Sequence, residues 1–260
     1  MIDCYSEFQN GPMVFEILLA ERMPNRYREI IPGWIGDIAE NSDEELQSKL
    51  VRRWGGIQCK ELHQLRDFLL SLKPHSIAIE DLELHDPYDS EDLIREPPPG
   101  STDGFQFMLQ LSIGVEDWKI VIPYIEEIED SRTEETRKLL EGFPLAREFF
   151  SYFSGLSIAC YASLSHGFAN LAEVDVITSD LDYLYPFSEK WERSLRIFNH
   201  GSGDFLVMNP EGLFGRYGHE GPGSTDGAIQ QLPINSFADL LWMFLEFAKD
   251  PPKGRDSFFW

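Results

Sequence analysis

Apolar positions recur along the chain with two different periods, and the switches between them mark out its elements. Met13–Leu19 is a short apolar run that reads as a strand. Ser42 followed by Asp43-Glu44-Glu45 has the form of an N-cap with a carboxylate three residues on. A helix is therefore predicted up to Trp54, stopped by Gly55-Gly56. Leu62, Leu65, Leu69 and Leu72 share one helical face and predict a second helix over Glu61–Lys73, ended by Pro74. The period then drops to two. Ile77 and Ile79 alternate with polar neighbours; Phe105, Phe107, Leu109, Leu111 and Ile113 alternate with Gln106, Met108, Gln110 and Ser112; Trp118, Ile120 and Ile122 alternate with Asp117 and Lys119, though Val121 breaks that pattern. The last two runs, joined through Gly114-Val115-Glu116, predict an antiparallel hairpin with one wet face.

Helical periodicity returns over Thr133–Glu141, ended by Gly142, and again from Pro144, a favoured first helical residue. Leu145, Phe149, Phe150 and Phe153 form the apolar face of that helix, and Gly155 closes it. Strands are predicted over Leu156–Tyr161, around Val174, Val176 and Ile177, and over Leu195–Phe198, Phe205–Met208 and Leu213–Tyr217. Gly201-Ser202-Gly203-Asp204 and Pro210-Glu211-Gly212 supply turns for a small meander. Ser236 caps a final helix carrying Phe237, Leu240, Leu241, Phe244 and Leu245 on one side, and Pro251-Pro252 ends it. The fold class expected is α+β: a twisted, mostly antiparallel sheet with helices packed on one side, preceded by an N-terminal α+β lobe. The string PGSTDG occurs at Pro99–Gly104 and again at Pro222–Gly227; all six residues are turn formers, which favours two independent loops over a duplicated unit.

Charge changes the picture. The 260 residues hold 45 acids against 22 bases, a formal net charge of −23. Such a surface repels phosphate backbones and anionic membranes and attracts a basic partner. At 42% hydrophobic residues the chain has enough apolar content for a real core, which excludes disorder throughout. Residues 1–130 carry a net −16 and residues 131–260 a net −7, with the acidic run Glu126–Asp130 between them. Two lobes are therefore expected, an acidic 1–130 and a second 131–260; the sequence leaves open whether the first is separate or continues one sheet. Cys4, Cys59 and Cys160 form no CxxC pair, and the N-terminus reads as no secretory leader. The expected compartment is the cytoplasm.

Nucleotide-binding and zinc-protease motifs are absent from the sequence. His200, Asp204, His219 and Asp226 are ligand types at turns, but their spacing fits no known metal rhythm. Cys160 with His166 is a weaker thiolate pair, and Ser157 lacks the second glycine of a nucleophile elbow. The expectation is no catalytic residue, metal or cofactor. Two acidic stretches invite a partner instead. One is the loop bearing Glu80, Asp81, Glu83, Asp86, Asp89, Glu91 and Asp92. The other gathers Glu173, Asp175, Asp180 and Asp182 and interleaves them with Tyr183, Tyr185 and Phe187, aromatic anchors ringed by acids. The contact residues expected are the seven loop acids with Asp180, Asp182, Tyr183 and Tyr185.

Three stretches of the second lobe carry a family likeness: PLAREFFSYFSGLSI (Pro144–Ile158), FNHGSGDFLVMNPEGLFG (Phe198–Gly215) and INSFADLLWMFLEF (Ile234–Phe247). In order and spacing they resemble the SUKH superfamily, which includes the SMI-type cell-wall regulators and many bacterial immunity proteins. The resemblance covers about residues 133–250. It implies a structural turn at Gly203 and Asp204, the aspartate bonding the turn's amides, and core positions for Phe237 and Leu241. It implies a non-enzymatic binding module, in bacteria most often one that neutralises a toxin domain such as a nuclease. A regulatory interaction scaffold is the alternative, and a metal-dependent hydrolase built on the carboxylates or on His200 and His219 the third reading.

Overall fold

The computed structural model describes residues 14–18, 43–81, 105–115, 118–123, 134–153, 155–160, 163–169, 174–181, 185–200, 204–218 and 228–251. Among them are five α-helices and eleven strands. The helices are α1 (Asp43–Trp54), α2 (Lys60–Ser71), α3 (Glu134–Glu141), α4 (Pro144–Tyr152) and α5 (Phe237–Lys249). The strands of the first half are β1 (Val14–Leu18), β2 (Lys73–Asp81), β3 (Phe105–Ser112) and β4 (Trp118–Pro123). Those of the second are β5 (Leu156–Cys160), β6 (Ser163–Phe168), β7 (Val176–Ile177), β8 (Ser194–His200), β9 (Asp204–Met208), β10 (Phe214–Tyr217) and β11 (Ile229–Gln231). All pairings are antiparallel and follow chain order, β7 alone standing off the path beside β8. The fold class is α+β, as expected.

The sheet runs without a break across residue 130. β4 pairs with β5, setting Ile120 opposite Ile158 and Val121 opposite Ser157. Of the two arrangements left open by the sequence, the first half continues the sheet of the second. One core accompanies it. Ile77, Leu109, Leu111 and Ile120 from the first half share a buried cluster with Phe149, Phe168, Leu206 and Phe244 from the second.

A carboxylate from the second half also holds the first in place. Glu148, on α4, accepts the backbone N–H groups of Gln58 and Cys59, the latter at 2.9 Å, just where α2 begins. The N-cap residue of α2, Cys59, makes no side-chain cap of its own, so α2 takes its N-terminal acceptor from 89 residues away. The turn comes close enough for the Tyr152 hydroxyl to fill the space a side chain at Gly56 would need.

Three departures from the expected elements have local causes. β2 begins at Lys73, before Pro74, because a residue preceding proline is pushed to extended geometry; the register shift between Pro74 and Ser76 absorbs the missing donor. β6 is polar and glycine-bearing, so it does not read as a strand; yet Gly167 packs so tightly against the backbone of Leu156 and Ser157 that no larger residue fits. The second face of β2–β4, expected to be wet, holds buried Ser76 and Lys119, whose Oγ and Nζ both donate to Gln110 Oε1, at 2.7 and 3.2 Å. The capped last helix is as expected: Asp239 N–H donates to Ser236 Oγ at 3.1 Å, and Asp239 Oδ2 accepts from Asn235 N–H at 3.2 Å.

Candidate functional site

On the face of β8–β11 away from the helices lies a second, smaller core of Ile177, Trp191, Phe205, Val207, Tyr217, Ala228 and Ile229. The chain between β7 and β8 crosses it as a strap, described over residues 178–181 and 185–193. Four features seat the strap. Trp191, fully buried, plugs against Gly215 and Ile229. Tyr185 N–H donates to the Tyr217 hydroxyl at 2.7 Å. Ala228 N–H donates to the Pro186 carbonyl at 3.1 Å, and Asn209 Nδ2 donates to the Lys190 carbonyl at 3.1 Å. Asn209 is itself fixed, because its Oδ1 accepts the amides of Glu211 and Leu213 and so builds the β9–β10 turn; Gly212 supplies the positive φ of 81° that the turn requires.

A column of stacked groups runs beneath the strap. The Arg196 guanidinium lies over the Phe205 ring at 4.8 Å, and Phe205 stacks on Tyr217 at 4.6 Å with 13° between planes. Asn199 Oδ1 holds Arg196 through Nε at 3.0 Å and a second guanidinium nitrogen at 2.9 Å. Tyr185, tied through its backbone N–H to the Tyr217 hydroxyl, has 45% of its surface exposed. Its backbone is pinned while its ring is open, the condition under which an aromatic side chain binds with little loss of freedom. Asp180 is exposed on the same strap, in the turn closed by Leu181 N–H on the Thr178 carbonyl. Asp175, where the strap's strand begins, is half-buried, and desolvation raises its pKa although the Arg196 charge opposes the rise.

Asp180 and Tyr185 thus both lie exposed on the connection between β7 and β8. Asp182 and Tyr183, between them in sequence, lie outside the described residues, as do Glu83, Asp86, Asp89, Glu91, Asp92 and Gly203. Glu80 and Asp81 close β2, paired with Gln106 and Phe105, on a different part of the sheet. Asp204 opens β9 and is buried, with only 5% of its surface exposed; its Oδ2 accepts Arg216 Nε at 2.9 Å and so ties β9 to β10. Phe237 and Leu241 lie in the main core.

The chemical alternatives fare differently. His200 stands opposite both His166 and Asp204 in the sheet register, while His219 and Asp226 lie outside the described residues. Among the described residues no group of three or more His, Cys, Asp or Glu converges on a point. His166 is buried, edge-on to Phe247. Cys160 pairs with Ser163, beyond a register shift from the Ile158–His166 pair. Cys59, not singled out by the sequence, has its thiol pushed up to about 11 by its hydrogen bond to Glu148, with desolvation and the negative charges of Glu148 and Glu61 adding to the rise. A thiol held protonated in this way is a poor nucleophile.

Sequence reasoning passed over one exposed residue, Trp242 on α5, with 59% of its surface in solvent. The helical pattern held the signal, since Trp242 falls outside the Phe237, Leu240, Leu241, Phe244, Leu245 face. Neither a family model, a curated protein nor a solved structure matches the chain. Among the described residues no helix is long and apolar enough to cross a membrane.

Proposed function

We propose that this chain is a non-enzymatic immunity protein of the SUKH type, acting in the cytoplasm by binding and blocking a basic toxin domain, a nuclease being the foremost class. The observation that carries the reading is Tyr185, half-exposed on the same pinned strap that carries the exposed Asp180, in a chain with a net charge of −23. A nuclease must be basic where it holds phosphate, and an anionic inhibitor surface gains on-rate and specificity against it. An exposed aromatic with a fixed backbone supplies the desolvated anchor that charge alone does not.

The test is to read the neighbouring genes for a toxin domain and to co-express it with this chain. The reading expects survival of the cells and a stable complex on size exclusion, with Tyr185→Ala weakening the complex by about 2 kcal/mol, a typical hot-spot loss. Cells that die despite expression of the folded chain, with no complex formed, overturn it.

A further inference from the structure

Among the described residues a second exposed aromatic, Trp242, lies on the opposite side of the sheet from Tyr185. Trp242 stands on the outer side of α5, between Asp239 one turn before it and Glu246 one turn after it. Its place is not explained by packing. The buried side of α5 is already filled by Phe237, Leu240, Leu241, Phe244, Leu245, Phe247 and Ala248. With 59% of its surface in solvent, Trp242 leaves most of its ring area unburied, so burial at this position adds only part of what a core tryptophan would. Tyr185 is held over the second core, on the face away from the helices, so the two aromatics do not form one patch.

We infer that the outer face of α5 is a second docking surface, and that its occupant is an arginine- or lysine-bearing segment of a protein partner, with a cation seated on the Trp242 ring and Asp239 and Glu246 flanking it. Three observations select this occupant. Indole is the best of the aromatic faces for a cation. Asp239 is held in place by accepting from Asn235 N–H at 3.2 Å, and Glu246 is engaged only in an exposed pair with Lys249 at 2.6 Å, a weak surface contact that an incoming guanidinium can replace. The chain's net charge of −23 draws a cationic segment toward the face and disfavours a second equally acidic copy. The inference rests on the reading of a basic partner and adds a contact on the helix layer to the one on the strap. A partner meeting both would span the edge of the sheet, and joining two modest contacts raises the overall affinity above either.

The experiment uses the full chain and two synthetic decapeptides, arginine alternating with glycine and glutamate alternating with glycine, followed by calorimetric titration at about 0.15 M salt, where long-range attraction is largely screened. The arginine peptide is expected to bind. Trp242→Ala and Trp242→Leu should each weaken it about tenfold, while Trp242→Phe keeps most of the affinity because it keeps a ring. Equal binding by wild type and Trp242→Leu overturns the inference while leaving the basic-partner reading in place. If the arginine peptide binds no better than the glutamate peptide, the basic-partner reading itself fails. A wild type that sediments as a dimer and a Trp242→Ala variant that sediments as a monomer would make the occupant a second copy, which also overturns the inference.

Discussion

Gly215→Ala tests the seat of the strap directly. A methyl group at this position of β10 would stand 2.5 Å from Ile229 Cγ2 and 2.7 Å from Trp191 Cη2. Carbon atoms pack comfortably at about 3.5–4.0 Å, so roughly 1 Å must be found on two sides at once. Neither neighbour has room to give, since Trp191 and Ile229 are both fully buried. Trp191 is also held from behind, because Ser194 Oγ donates to its carbonyl at 2.7 Å. Overpacking costs about 1–3 kcal/mol, and a clash on two immobile groups belongs at the upper end, about 3 kcal/mol. With a urea m-value of about 3 kcal/mol/M, the unfolding midpoint should fall by about 1 M with m unchanged. Ile229→Ala removes one of the clashing atoms and leaves a cavity that the new methyl partly fills. The double variant should therefore be less destabilised than the two singles added, by about 1 kcal/mol or more. Strictly additive costs, or a Gly215→Ala midpoint close to wild type, would refute the seating of the strap's Trp191 against Gly215 and Ile229.

Other perturbations read other contacts. Glu148→Ala removes the acceptor at the start of α2 and should cost about 1 kcal/mol, the usual loss for a cap; Cys59 alkylation, followed by peptide mass spectrometry, should quicken as its thiol returns toward an ordinary value. Burial alone would raise the Glu148 pKa, but the Cys59 thiol, the Gln58 and Cys59 amides and the His63 charge leave it lowered from 4.5. The stability it contributes is therefore present above pH 4.5 and lost as pH falls through its folded value, so the wild-type advantage over Glu148→Ala should shrink in acid unfolding series. Asp175 has the opposite sign: its pKa is raised from 3.8 by desolvation, so its charged form opposes folding. Asp175→Asn should raise the urea midpoint at pH 7, with the gain fading as pH falls through the raised value. Arg216→Ala leaves the buried Asp204 carboxylate without this guanidinium and should cost about 3 kcal/mol in chemical denaturation, the low end for a broken buried pair because Arg216 is partly open to water.

The alternating runs of β3 and β4 and the capped, one-sided α5 were legible because local patterning and burial agree there. β6 was not, because its signal is a close backbone approach at Gly167, which has no hydrophobic periodicity. The unbroken sheet across residue 130 was hidden for another reason. A fall in net charge looks like a boundary between lobes, but the β4–β5 pairing is set by backbone groups and by apolar residues such as Ile120 and Ile158, which charge counting does not see. The candidate site was half legible. Acids interleaved with aromatics pointed to Asp180 and Tyr185, whereas the partners that fix the strap, Tyr217, Gly215 and Asn209, come from 19 to 32 residues further along the chain and carry no local sign of the contact. Trp242 escaped because attention to the buried side of a helix neglects what its outer side displays.

The most direct test of the central claim, the proposed binding of a basic toxin domain, is the association rate between this chain and a toxin domain found to form a complex with it, measured by stopped-flow as ionic strength is raised. An anionic surface steering a basic partner predicts a rate constant that falls by about tenfold or more between low salt and 0.5 M, with a much smaller change in dissociation rate. A rate indifferent to salt, in a complex that forms normally, would contradict the account.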